Sequence, residues 1–475
     1  VVLTRIWTVA DRTLGDLALN ELEVRRTFTT DSPTLGAYSR FGWRHPGPVA
    51  FYLLALQNRA FGSGAQALST AAVILNAGWL VWAVTVLRRR GAAAVATFGS
   101  CLLLAGAAMG INGLGDAWNV SLTILPLALF MISCWGILCG DRLARLPAAA
   151  TYVFVVHTHV GVGVVATPLA LATIAAVLLV PDLRRVHRPT RFDLVVAAVL
   201  ALAAFGPIIG DTVRRPPGNL LELLRWSAGA DRDVIGLSAA IRLLGRTSSL
   251  GFPLSSQPPR FLLWVDTDAL GVAPGIFVAA LVLLGGVAAW RRCREEFLVS
   301  AVLTVMWGSG LVAARSVLDP PEWWLVEWLR PLGWMTVAAT ALLTWRVVVR
   351  QFVPPTAGVR TAGVLVVAGA VGVAVIGEWR TVAEFDHRAV TSVEPVDDLT
   401  TAVEAAADGR IVRITTNDPD FFGENMLAGV VNEATRRGVD VCVDSRLAYK
   451  FPEELVCTGA ETSVLLLSLI HISEP

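Results

Sequence analysis

QALSTAAVILNAGWLVWAVTVLRRR, residues 66–90, is the stretch whose reading decides the fold. Residues 66–87 hold no charge and are mostly Ala, Val, Leu and Trp. A helix needs roughly 20 such residues to cross the hydrocarbon core of a bilayer. Three arginines follow at once, at 88–90, as expected where a span meets water on the cytoplasmic side. Working outward, similar apolar runs lie at 91–109, 119–139, 148–160, 162–180, 191–209, 272–290, 297–315, 325–349 and 359–377. Gly161, Gly163 and Pro168 mark a broken helix between the two runs at 148–180. Hydrophobic residues make up 55% of the 475 and charged ones 16%, against roughly 45–50% and 25% in soluble domains. The chain therefore reads as a mainly α, polytopic transmembrane bundle of about ten spans.

Topology follows from the arginines. The run 48–61 is short and ends in Gln57, Asn58 and Arg59, so it is read as lying in the interface. With that choice the basic loops at 88–90, 142–145, 184–191, 291–294 and 346–350 all fall on one side, the cytoplasm. Residues 11–65, 111–118, the long loop 210–271, 316–324 and everything after 378 then face outward. Residues 1–10 are too short to span, so a first span is expected upstream. The tail SLIHISEP at 468–475 resembles a translated sequencing adaptor and is set aside. Domain 1–377 is thus the membrane part and 378–467 a small extracytoplasmic α/β domain. In the latter, 411–416 and 439–443 read as strands around a helix at 424–437. Cys442 and Cys457 would form a disulfide if that domain lies outside the cell. Cys101, Cys134, Cys139 and Cys293 fall in or beside apolar runs, as packed thiols do.

The net charge of +1 favours no nucleic-acid partner, and of 39 basic residues only Lys450 is a lysine. The polar exception to this greasy chain is GDLALNELEVRRTFTTDSPTLGAYSRFGWRHPGP, residues 15–48. Asp16, at the membrane surface, can take a proton from a hydroxyl or help hold a metal; the plain alternative is a solvated loop acid. Glu21 and Glu23 read as surface ion-pair partners of Arg25 and Arg26 on a short helix. Arg40, Arg44 and His45 suit phosphate, with Trp43 and Phe41 able to stack on a sugar or dip into the interface. Lipid-headgroup contacts are the alternative. In GDAWN, 115–119, Asp116 is an acid among apolar neighbours that needs a partner, and Asn119 reads as a helix cap. His157 and His159 point to nearly opposite sides of a helix, so one, His159, can face the site. Glu327 and Arg330 form a candidate intramembrane pair, functional or structural. P-loop, HExxH, CxxC and GxSxG motifs are absent, and the span centres carry few charges, unlike a proton-coupled transporter.

These residues together resemble the GT-C superfamily of polytopic glycosyltransferases, specifically the family 39-like type of actinobacteria. The likeness rests on Asp16 in GDLALNEL, GAYSRFGWRHPGPVAFYLLAL at 36–56, GDAWN at 115–119 and THVG at 158–161. It runs over most of 11–349. The resemblance implies a polyprenyl-phosphate-linked sugar donor, an envelope glycan or lipid-linked acceptor, and inverting transfer at the outer face of a bacterial plasma membrane. It implies Asp16 as general base, Asp116 as second site acid, and Arg40, Arg44 and His45 on the donor phosphate with a divalent cation, Mg or Mn. The adjacent acids of such transferases are missing here, since Leu17 and Ala18 follow Asp16. That leaves open whether Asp16 and Asp116 hold a metal. The competing expectation is a non-catalytic envelope protein, a lipid-linked precursor flippase or an assembly scaffold.

Overall fold

The computed structural model describes residues 6–7, 12–62, 64–229, 233–247, 272–351, 394–416, 421–459 and 463–467. Helices form where the sequence is apolar: Ala65–Arg88, Ser100–Leu114, Ile124–Leu138, Arg145–Thr158, Val160–Leu179, Arg191–Arg214, Val272–Trp290, Arg294–Ala314 and Arg330–Leu343. Among the described residues, five helices are long and apolar enough to cross a membrane. Ser121–Leu138 is buried along its whole apolar window and forms the centre of the bundle; Arg191–Arg214 is buried nowhere along its own and lies outermost. An apolar helix whose surface is left so largely uncovered by protein fits a lipid surrounding. The molecule is a mostly helical, multi-pass membrane protein.

The element limits differ from the sequence reading in instructive places. The break between the fourth and fifth runs falls at His159, whose extended backbone (φ −153°, ψ 113°) separates Arg145–Thr158 from Val160–Leu179. Pro168 sits inside the second helix rather than at the break. The run expected from 325 begins with short 3₁₀ turns, and its helix starts at Arg330, with Pro331 in the first turn where a missing N–H costs little. The ambiguous 48–61 piece is the Val49–Ala60 helix, whose 12 residues reach about 18 Å, well short of a bilayer. The expected span at 359–377 lies outside the described residues.

Side chains at the basic end tie the loops together. Arg89 reaches Asp141 at 2.6 Å, Arg90 reaches Glu295 at 3.0 Å, and Arg346 reaches Glu296 at 3.0 Å. Arg145 pairs with Asp193 at 2.8 Å, and Arg291 donates to the Val347 carbonyl at 2.7 Å. The five basic loops therefore sit on one end of the bundle, as the alternation of spans demands. Asp141, its side chain fully buried, also caps the next turn by accepting from the Leu143 N–H.

The C-terminal part is a three-stranded parallel sheet in the order β2-β1-β3: β1 is Val412–Thr416, β2 is Val441–Val443 and β3 is Ser463–Leu467. Val412 pairs with Val441 on one side and Ser463 on the other. Parallel neighbours need a crossover, which Phe421–Arg436 supplies between β1 and β2; Glu394–Ala407 packs against it. Cys442 and Cys457 are disulfide-bonded. The sequence reading has the β-α-β unit but not β3 or the leading helix.

Two apolar cores result, and one short helix joins them. Gly15–Arg26 puts Ala18, Leu19 and Leu22 into the core of the C-terminal part, while Val24 belongs to the core of the bundle. Glu21 and Glu23, expected at the surface, are only 1% and 4% exposed. They are buried because the Phe421–Arg436 helix covers this segment.

Candidate functional site

The site is built on two local structures from the 15–48 stretch. The first is the Gly15–Arg26 helix, which starts at a glycine in the left-handed region (φ +53°). A Cβ there would collide with the Asn425 side chain, so glycine permits both the turn and the approach of the C-terminal part. The second is a hairpin over 36–47: Gly36 donates to the His45 carbonyl at 2.9 Å, His45 to Ala37 at 2.9 Å and Ser39 to Trp43 at 2.8 Å. Gly42 (φ +83°) closes its turn, and Gly47 lies against the His157 ring, where a Cβ would collide.

Asp16 and Asp116 meet through Trp118. The Trp118 indole donates to Asp16 Oδ2 at 2.9 Å, and its backbone N–H donates to Asp116 Oδ1 at 3.0 Å. Tyr38 donates its hydroxyl to the other Asp16 oxygen, Oδ1, at 2.6 Å. Ser121 donates to Asp116 Oδ2 at 2.7 Å. Burial pushes the Asp116 carboxyl up to about 7, outweighing the pull of the Ser121 and Trp118 hydrogen bonds; the nearby Glu327 and Asp16 charges add smaller pushes upward. Burial and the neighbouring Asp16 charge raise the Tyr38 phenol, so it stays protonated and serves as a donor. Glu327 in turn holds Arg330 at 2.9 Å, both of them buried. A cavity of about 10 Å³, the size of a single water, is lined by Asn20, Gly36, Gly47, Ala117, Asn119 and Thr158 among others; neither acid is among its lining residues.

The predicted phosphate contacts are placed differently from one another. Arg40, half exposed at the hairpin turn, makes a two-pronged pair with buried Glu322, at 2.7 Å on each side. Arg44 is engaged on all sides: Glu23 at 2.7 Å and the carbonyls of Lys450 and Phe451 at 3.2 and 3.1 Å. Its backbone N–H and carbonyl are both held by the Asn219 side chain, at 2.6 and 2.7 Å. His45 is buried and accepts the Val160 N–H at Nδ1, 3.1 Å away. Burial, with His159 beside it, lowers its pKa well below the ordinary value, so it is a neutral ring at pH 7. His159 lies with its ring 4.8 Å from that of His45. Trp43 is 6% exposed and packs on Phe41, His45 and Trp226 instead of presenting a face to solvent.

Metal binding fits poorly. Among the described residues no group of three or more His, Cys, Asp or Glu is placed to hold an ion. Each oxygen of Asp16 and Asp116 accepts one N–H or O–H, which leaves acceptor capacity on each but, among the described residues, no third ligating side chain grouped with them.

Sequence reasoning missed Tyr38, Trp118 as a bridge, Ser121, and Lys450. Lys450 pairs with Glu424 and lies over the rings of Tyr38 and Tyr449, 5.5 and 5.6 Å from their centroids. The single available signal was that Lys450 is the chain's lone lysine.

No protein-family model matches the chain, and no curated protein matches it by sequence. Solved structures do. The ArnT of Cupriavidus metallidurans bound to undecaprenyl phosphate is 14% identical with a TM-score of 0.58, covering 96% of this chain and 87% of that one. The same protein in the apo state is 12% identical with a TM-score of 0.52, covering 92% and 86%. The chain has the GT-C fold.

Proposed function

We propose that this GT-C-fold protein is a glycosyltransferase that moves a sugar from a polyprenyl-phosphate donor to a hydroxyl of a cell-envelope acceptor. The carrying observation is the convergence of Asp16 and Asp116, a hundred residues apart, on one indole. The undecaprenyl phosphate held by the ArnT structure supports a polyprenyl-phosphate partner. The Cys442–Cys457 disulfide supports an oxidising, extracytoplasmic compartment for this end of the molecule.

Asp16 acts as the base. Tyr38 and Trp118 fix its carboxylate in place, one donor to each oxygen, and each oxygen keeps a lone pair for substrate. An acceptor O–H gives its proton to Asp16 as the oxygen attacks C1 of the sugar. The bond from C1 to the phosphate oxygen breaks on the opposite face, and the polyprenyl phosphate leaves with the electron pair, so configuration inverts. Asp116 acts by holding Trp118 and Ser121, not by a second proton transfer. Of the three predicted phosphate contacts, Arg40 is the most exposed, but both its terminal nitrogens are held by Glu322, so it would meet a phosphate only by exchanging that partner.

The test is Asp16→Asn in membranes supplied with a lipid-linked sugar. Loss of a positioned base costs about 10²–10⁴-fold in rate. Full activity in that variant would remove the role. The convergence of the two acids favours catalysis over a scaffold, in which they would lie apart in solvent.

A further inference from the structure

We infer that Lys450, carried on a disulfide-closed loop of the C-terminal part, is a positioning residue of the site that acts through Tyr38 on Asp16. This rests on the reading of Asp16 as the base. After β2 comes a loop, 443–456, whose two ends are joined by Cys442–Cys457 and by the Cys457 N–H on the Val443 carbonyl at 3.0 Å. Several of the groups that loop offers meet the 15–48 stretch, while Glu453 pairs with Arg215 and Arg446 with Asp444. Its carbonyls at Lys450 and Phe451 take Arg44, and Glu454 takes Arg26 at 2.6 Å. Tyr449 meets the Tyr38 ring edge-on at 6.2 Å.

Lys450 is the point where this docking reaches the chemistry. Its side chain is 11% exposed, and its ammonium is paired with Glu424 and boxed between two tyrosine faces. A cation over an aromatic face is attracted by the ring quadrupole. It therefore pins the Tyr38 ring, and it draws electron density from the ring, which strengthens the phenol as a donor. That phenol is the 2.6 Å partner of Asp16 Oδ1. The order is Glu424, Lys450, Tyr38, Asp16, so a group 434 positions from the base, counted from 16 to 450, sets the base's orientation. A substrate-binding cation would instead have its charge directed at open solvent. Here Glu424 already neutralises it.

The experiment compares Lys450→Met, Lys450→Arg, Tyr38→Phe and the Lys450→Met/Tyr38→Phe double variant in the full-length membrane protein. The probe is polyprenyl-phosphate sugar with the acceptor varied. Expected for Lys450→Met is a fall in kcat on the order of 10–100-fold, as for a misplaced catalytic group, with donor KM within about threefold of wild type. Lys450→Arg, which keeps the charge over the ring, restores most of the rate. Tyr38→Phe matches Lys450→Met, and the double variant is no slower than either, because both act through one contact. Wild-type kcat in Lys450→Met, a raised donor KM with unchanged kcat, or losses that multiply in the double variant would each overturn the inference. Because Lys450 is the chain's lone lysine, reductive ¹³C-methylation labels it apart from the terminal amine. An upfield ring-current shift of that resonance is expected, and a random-coil position refutes the stacking even if a variant fails to fold. Asp16→Asn measured in parallel separates the two ideas. Activity there removes the base, whereas inactive Asp16→Asn beside fully active Lys450→Met removes Lys450 alone.

Discussion

Replacing Arg44 by methionine asks whether that guanidinium serves substrate or structure. It keeps the stem that packs along the hairpin and deletes the charge. Arg44 makes one ion pair and two charge-assisted bonds to carbonyls, with its side chain 18% and that of Glu23 6% exposed. Hydrogen bonds to charged groups are worth about 1.5–3 kcal/mol each, and breaking a buried pair costs about 3–5 kcal/mol. Glu23 keeps Arg26 at 2.7 Å, which offsets part of the loss. The net expectation is about 3–4 kcal/mol against docking of the C-terminal part, or on the order of 10²–10³ in its opening equilibrium. Native-state hydrogen exchange over 444–459 in the membrane-embedded protein reads this directly. Exchange should accelerate by that factor there while the basic end of the bundle stays as protected as before. Unchanged protection together with a raised donor KM would refute the reasoning and return Arg44 to the phosphate.

Three further expectations can be checked with the same preparations. The Asp116 carboxyl, raised to about 7, binds more protons folded than unfolded between about pH 4 and 7, so its contribution to stability falls as pH rises through that window. Asp116→Asn should flatten the thermal stability of the protein against pH there; an unaltered slope would contradict the burial argument. Gly15→Ala meets both a left-handed backbone and the Asn425 side chain, and should cost about 1–3 kcal/mol in thermal unfolding; a neutral result would mean that the two parts approach less closely. Cys442 and Cys457 are 15 positions apart, and a loop of that size is stabilised by about 3 kcal/mol on closure. The Cys442→Ser/Cys457→Ser variant should therefore become protease-sensitive within 443–456 and lose transferase rate along with it.

The membrane bundle was legible because its signal is local. Runs such as 66–87 declare their length and their arginine border, and span parity then places the loops. The β-α-β unit was legible from turn and strand patterning at 411–443. What failed to show was whatever depends on partners distant in sequence. Glu21 and Glu23 look like surface residues beside Arg25 and Arg26, and nothing nearby reveals that a helix some four hundred residues later covers them. Arg44 reads as a phosphate ligand for the same reason: Glu23 and the carbonyls at 450 and 451 are invisible from its neighbourhood. His45 carries no sign of its burial, and so none of its neutrality. The helix break at His159 was foreseen a few positions late, because glycine and proline suggest a kink more loudly than a histidine with an extended backbone.

Asp141 sits without solvent between Arg89 and Arg90, while Glu295 and Glu296 bind Arg90 and Arg346 across the same end of the bundle. Such a cross-braced foot resists the rocking of one half of a bundle against the other by which carriers expose a site alternately to two sides. At the opposite rim the Asn219–Ala228 helix rests its Trp226 on the hairpin aromatics and Asn219 on the backbone of Arg44. The two ends of the bundle are thus held by different means: crossed ion pairs on the arginine-rich side, aromatic packing and an amide clamp at the hairpin.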